Sequence, residues 1–210
     1  MKLLRPFTGT GAIFFPVGLP PAGTCQFATE DCTRLCYAID PVDANFDEEM
    51  RIPQDEKWKI YRCVMEMDKK MLVDRLLDEL YGLQTTILHW FGSGDCLLKD
   101  TERICEIIDA VGDKAVQMGF TRNNKLWKKH KDIFALTVES KEEATDVDAL
   151  YSIPNYKEQV SVMYSPRYQV VGGYCGPVTC RDIHRDRREL EHYINCRTCL
   201  RLKTGCFDRR

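Results

Sequence analysis

From Thr85 onward, short apolar runs alternate with helical segments, and this alternation limits the possible folds more than any other feature of the chain. Residues 86–91, 116–121, 133–138 and 159–164 have the β-branched and aromatic content of strands, and residues 168–171 offer a fifth. Between them lie a helical pattern over residues 97–111 carrying Leu98, Ile104, Ile107 and Ile108, another containing Leu126 and Trp127, and a third over residues 141–149. Strand-helix-strand alternation predicts a parallel sheet with right-handed crossovers. With 210 residues the chain is short for an eight-unit barrel. The expected class is therefore α/β, as a partial (β/α) barrel or a curved parallel sheet with its ligand site at the carboxyl ends of the strands.

Upstream of these units, residues 1–24 are rich in Gly and Pro around one apolar run at residues 12–15, which predicts a strand or extended arm. An acidic linker spans residues 40–49, and a single long helix is expected over residues 55–83. Its apolar face carries Trp58, Tyr61, Val64, Met65, Leu72, Leu76, Leu80 and Tyr81; Glu56, Lys57, Asp68, Lys69, Asp74 and Glu79 are assigned to the opposite face, and Gly82 ends the helix. Residues 172–210 have too little apolar content for a core of their own, so two units are expected: residues 1–171 as the α/β body and residues 172–210 as a small cysteine-rich appendage stapled by metal.

Eleven cysteines gather toward the two ends of the chain, with Cys63, Cys96 and Cys105 between. Metal binding explains that clustering better than a disulfide framework does. The N-terminal residues make a poor signal peptide, and there is no apolar run of membrane-spanning length. A cytoplasmic protein with reduced thiols is expected, and a net charge of -2 gives the whole chain no bias toward nucleic acid or an anionic membrane.

Cys25, Cys32 and Cys36 form a C-x6-C-x3-C run in a polar loop flanked by Gly and Pro. Three soft ligands without a local fourth suit an iron-sulfur cluster with one iron left open, whereas structural zinc takes four protein ligands. Tyr37, directly after the last cysteine, is placed to pack over a cluster or ligand, or in the core. Gly92, Ser93, Gly94 and Asp95 follow the first apolar strand of the βα region; the glycines permit close approach of a ligand, and Asp95 is a candidate acceptor for an ammonium or ribose hydroxyl, or a helix cap. Arg122 and Glu139 follow the next two strands, where ligand-facing loops are expected. His89 reads as a satisfied core histidine, Cys63 and Cys105 read as core thiols, and Cys96 stays open.

Toward the C-terminus, Cys180, Cys196, Cys199 and Cys206 make a four-thiolate set suited to zinc or a second iron-sulfur cluster, with Cys175, His184 or His192 as alternative ligands. Arg181, Arg185, Arg187, Arg188, Arg197, Arg201, Lys203, Arg209 and Arg210 make this tail basic and open a route to nucleic acid.

The order of Thr24-Cys25, Cys32, Cys36-Tyr37-Ala38, the stretch from His89 to Asp95, Gly119-Phe120-Thr121-Arg122 and a cysteine-rich tail resembles the phage and bacterial family named for mycobacteriophage gene product eighty-eight. Its layout is similar to that of a compact radical S-adenosylmethionine enzyme. The resemblance implies that Cys25, Cys32 and Cys36 hold a [4Fe-4S] cluster whose open iron chelates S-adenosylmethionine, and that Gly92 to Asp95 receive the methionyl ammonium. It further implies release of a 5'-deoxyadenosyl radical, an electron donor as partner, and a host-cytoplasm setting if the gene belongs to a phage. The spacing differs from the usual C-x3-C-x2-C of such enzymes. The alternative function is a non-enzymatic zinc protein whose basic tail contacts nucleic acid or a protein partner; a further alternative has the two cysteine groups sharing one structural site.

Overall fold

The computed structural model describes residues 1–7, 9–36, 38, 52–155, 160–166 and 172–174. Among these, eight strands make one sheet in chain order: β1 (Leu4–Phe7), β2 (Thr10–Phe14), β3 (Ile87–Ser93), β4 (Val116–Thr121), β5 (Phe134–Thr137), β6 (Tyr151–Asn155), β7 (Val160–Tyr164) and β8 (Gly172–Tyr174). β2 through β6 run parallel, while β1 pairs antiparallel with β2, and β7 and β8 continue antiparallel from β6. The fold is α/β with a mixed, mostly parallel sheet. Its strand order never reverses, so the carboxyl ends of β2, β3, β4 and β5 stand side by side.

α2 (Gln54–Glu66) buries Lys57, Ile60, Tyr61 and Val64, and α3 (Lys69–Gly82) buries Leu72, Val73, Leu76 and Leu80. α4 (Thr101–Val111) contributes Ile104, Ile107, Ile108 and Val111, and α5 (Asn124–Lys129) contributes Leu126 and Trp127. Together with Ile13, Phe15, Leu88, Trp90, Phe91, Phe134 and Tyr151 they form the main core. Gly119 belongs to this packing, since a Cβ there would lie 2.8 Å from the Phe134 ring and 2.9 Å from the Trp90 carbonyl.

Several expectations need correction. The helix expected over residues 55–83 is two helices, because Met67 is extended and Asp68 accepts a 3.1 Å bond from the Met71 amide as the N-cap of α3. Arg103 covers the exposed carbonyls at the end of α2, donating to Val64 and Met67. Lys57, assigned to the polar face, is in the buried stripe. The strand expected around residues 12–15 is β2, and β1 pairs with it in a hairpin that was not anticipated. No long helix fills residues 141–149; only a 3-10 turn at Lys141–Glu143 precedes β6, a strand not anticipated, and β7 returns antiparallel instead of closing another βα unit. Gly172–Tyr174, assigned to the cysteine-rich appendage, is β8 of the sheet. Tyr37, residues 40–49 and 168–171, and the rest of the tail with every proposed ligand from Cys175 to Cys206 lie outside the described residues. No helix among the described residues is long and apolar enough to cross a membrane.

β3 carries the largest irregularity. Ala12 pairs with His89 and Phe14 with Ser93, so two steps along β2 match four along β3, and Phe91 takes φ 56°. The extra residues let Phe91 join Trp90 in the main core, stacked on Phe134 at 5.8 Å, while His89 stays with Phe7 at 5.0 Å and Phe120 at 5.8 Å. His89 is not the satisfied core histidine expected. It is buried, neither ring nitrogen has a hydrogen-bond partner among the described residues, and burial pushes its pKa down to about 4. Replacing it by a similarly sized apolar residue, His89→Leu, is expected to stabilise the protein by about 1–2 kcal/mol at neutral pH. Because the unfolded imidazole gains its proton near 6.5 and the folded one only near 4, wild-type stability falls as pH drops through that window. Urea unfolding of both proteins from pH 7 to pH 4 checks this: the advantage of the Leu variant should widen toward pH 4.

Candidate functional site

The loop after β2 carries Cys25, Cys32 and Cys36, and it is anchored at both ends. Phe15 and Ser93 exchange bonds, the Phe15 amide donating to the Ser93 carbonyl at 2.8 Å and the Ser93 hydroxyl to the Phe15 carbonyl at 3.0 Å. The chain then folds back on itself: the Thr24 amide donates to the Pro16 carbonyl and the Cys25 amide to the Gly18 carbonyl, each at 2.9 Å. Gln54, at the start of α2, grips this fold by donating to the Val17 carbonyl at 2.7 Å and the Ala22 carbonyl at 2.9 Å. Thr29 caps α1 (Glu30–Arg34), accepting from the Cys32 amide at 3.2 Å, so Cys32 and Cys36 sit on and just past one helical turn.

Asp95 joins the loop to the sheet. Its carboxylate accepts from the Thr121 hydroxyl at 2.6 Å, the Arg122 amide at 2.8 Å and the Cys96 amide at 2.7 Å, all buried or partly buried. Its own amide donates to the Thr24 hydroxyl at 3.2 Å, one residue before Cys25. Asn123 extends the network, donating to the Cys96 carbonyl at 3.2 Å and the Thr101 hydroxyl at 2.9 Å while capping α5. The ends of β3 and β4 and the cysteine loop are thus one hydrogen-bonded unit.

The glycines of the turn serve this closeness. A Cβ on Gly94, whose φ is +72°, would lie within 2.8 Å of the Phe15 backbone, and one on Gly92 would meet the Phe14 ring at 2.9 Å. Gly92, Ser93, Gly94 and Asp95 therefore all have structural occupations at the β2–β3 seam.

Around the thiols stand three more charged groups. Arg122, only 12% exposed in its side chain, pairs with Glu139 at 2.7 Å, and Glu139 also accepts from the Thr29 hydroxyl at 3.0 Å. Burial raises the Cys32 pKa, and Arg122 opposes that through its charge and a hydrogen bond. Cys25 is pushed up to about 12, first by burial and then by Asp95, Cys36 and Cys32, whose charges it feels. Lys57 comes from α2, 5% exposed, with its pKa lowered by burial and drawn back by the charges of Cys36 and Cys25. The three sequence-predicted thiols, Arg122, Glu139 and Asp95 are thus gathered at one end of the sheet.

The match that decides the family runs over residues 4–205, nearly the whole chain, and it is to the model described as gene product 88. The chain belongs to the gene product 88 family. No curated protein and no solved structure matches it.

Cys25, Cys32 and Cys36 are free thiols of intermediate exposure, close enough for Cys25 to feel the charges of the other two. Among the described residues, no three His, Cys, Asp or Glu side chains are drawn together into a site for a metal ion. Cys96 is buried, its thiol donating to the Leu97 carbonyl at 3.3 Å, and Cys105 is buried in the core; Cys63 packs partly buried against it. Lys57 is the site residue that sequence reasoning missed, although it lies in phase with Ile60, Tyr61 and Val64.

Asp95 makes the network sensitive to pH. Burial outweighs its three hydrogen bonds and Arg122, holding its pKa at about 6 against an ordinary 3.8. Between those values the folded state keeps a proton that the unfolded chain has lost, so stability falls as pH rises through the window, by an amount on the order of 2–3 kcal/mol. Urea unfolding of the wild type and Asp95→Asn should show the wild type losing ground relative to the variant from pH 4 to pH 6, then a constant difference above. A wild type that gains on the variant over that range contradicts the assignment.

Proposed function

We propose that this chain is an iron-sulfur enzyme of the radical S-adenosylmethionine type, with Cys25, Cys32 and Cys36 as ligands of one [4Fe-4S] cluster at the strand ends of a partial barrel. The observation that carries the reading is the common location of the three thiols and the Arg122–Glu139 pair beside the carboxyl ends of β3, β4 and β5. A single ion needs its ligands in contact around one point, whereas a cubane cluster takes each thiolate at a separate corner. It therefore accepts thiols that lie near one another without meeting at one point.

When bound, such a cluster supplies one electron to the sulfonium of S-adenosylmethionine, giving methionine and a 5'-deoxyadenosyl radical. The chain's own residues do the positioning. Arg122 and Glu139 present opposite charges 2.7 Å apart, a bipolar pair complementary to the carboxylate and ammonium of an amino-acid moiety. The Asp95 network fixes the Arg122 backbone, so the guanidinium is held by its base as well as by Glu139. Thr24 and Thr29 hold the cysteine loop against the same elements.

Anaerobic reconstitution followed by iron, sulfide and zinc analysis tests the cluster, with about four iron and four sulfide per chain expected at this site. Substituting Cys25, Cys32 and Cys36 together by Ala should abolish that uptake. Reduced protein given S-adenosylmethionine should form 5'-deoxyadenosine, and Arg122→Ala should slow this by about 10-fold or more. An iron-free protein with stoichiometric zinc overturns the proposal.

A further inference from the structure

Alone among the α-helices of the described residues, α1 buries none of its residues, so no apolar side chain roots it in the core. Five residues are too few for a helix to persist by itself, and a segment without buried apolar contacts opens at low cost. Polar contacts set α1 in place. Its N-cap Thr29 donates to Glu139 Oε1 at 3.0 Å, and Arg122 Nη2 reaches that same oxygen at 2.7 Å. Ahead of α1 the chain is fixed by the Thr24 and Cys25 amides on the Pro16 and Gly18 carbonyls, and by Gln26, which accepts from the Leu98 amide at 2.9 Å. A swing of α1 therefore pivots between Gln26 and Thr29.

We propose that α1 is a hinged cover beside the Arg122–Glu139 pair, latched by Thr29, and that an α-amino-acid moiety arriving at the pair unlatches it. The proposal rests on the reading of the pair as the receiver of such a moiety; it needs no bound cluster. One carboxylate oxygen offers about two lone pairs, and Thr29 and Arg122 both donate to Oε1. An ammonium that takes this oxygen displaces one of them. Arg122 holds the stronger position, because its contact joins two full charges, its side chain is only 12% exposed, and its amide is fixed on Asp95 at 2.8 Å. Thr29 is the donor that yields, and α1, with Cys32 on it, is released. The ligand's carboxylate meets the guanidinium, which has donors enough for two carboxylates. Glu139 thus acts as the internal stand-in that keeps the cover shut until the ligand is present.

Amide hydrogen exchange by nuclear magnetic resonance on the full chain, reduced and with no metal added, tests this. The reporters are the Cys32, Thr33 and Leu35 amides, bonded to Thr29 Oγ1 at 3.2 Å, the Thr29 carbonyl at 3.0 Å and the Asp31 carbonyl at 3.0 Å. Glu139→Ala, which removes the latch and leaves the Thr29 cap, should speed their exchange by about tenfold. Thr29→Ser, which keeps the hydroxyl, should match the wild type, and amides inside α2 should be unchanged throughout. Saturating L-methionine should bring the wild-type reporters toward the Glu139→Ala rates, whereas acetate, which brings no ammonium to Glu139, should not. Reporters unprotected in the wild type, unchanged in Glu139→Ala, or opened equally by acetate overturn the proposal. If methionine shifts the Arg122 side-chain resonance and leaves the reporters as they were, the latch falls while the receiver stands; if it shifts neither, the receiver reading falls and the latch with it. Should Glu139→Ala fail to fold, the methionine arm on the wild type decides.

Discussion

A buried carboxylate is expensive unless donors surround it, and the arrangement of this molecule's strand ends follows from meeting that cost at Asp95. Three donors from β4 and the turn after β3 converge on its oxygens, and its amide ties Thr24, and so the start of the cysteine loop, to the same point. Such close approach requires glycine at positions 92 and 94, and the β3 irregularity delivers Ser93 to Phe15. The loop that carries the three thiols is therefore an extension of the sheet, held at Phe15, Thr24 and Thr29, with Gln54 clamping it to α2.

The site's electrostatics are arranged around that scaffold. Burial first, and then neighbouring negative charges, drive Cys25 and Cys32 toward neutral thiols, while Arg122 pulls Cys32 toward the thiolate. On the proposed reading, a group that takes three thiolates would spread their charge. The neighbouring Arg122–Glu139 pair then supplies a dipolar surface beside it.

Much of this could be read from the sequence where local patterning decides structure. The apolar runs at β3, β4 and β5 and the amphipathic stripe of α4 predicted the parallel core, and the rule that ligands sit at strand carboxyl ends placed Arg122 and Glu139 together. What failed depended on partners distant in sequence or on residue type overriding position. β7 is as apolar as a parallel strand, and nothing in it records direction; the missing helix before β6 is what changes the topology. Lys57 was assigned to solvent because it is a lysine, although its phase matches the buried stripe. Asp68 was read as part of a polar face, although an Asp before an apolar run is also a helix start. His89 was expected to find a partner, but its surroundings are the rings of Phe7 and Phe120, supplied by β1 and β4.

The central claim is that the thiols of Cys25, Cys32 and Cys36 present an open iron next to a surface that receives S-adenosylmethionine. Electron paramagnetic resonance of the dithionite-reduced, reconstituted protein, recorded with and without S-adenosylmethionine, measures this directly. The account predicts a reduced-cluster signal whose g values change on addition of S-adenosylmethionine, in wild type and not in a protein lacking the three cysteines. A signal from those cysteines that the addition leaves unchanged would contradict it.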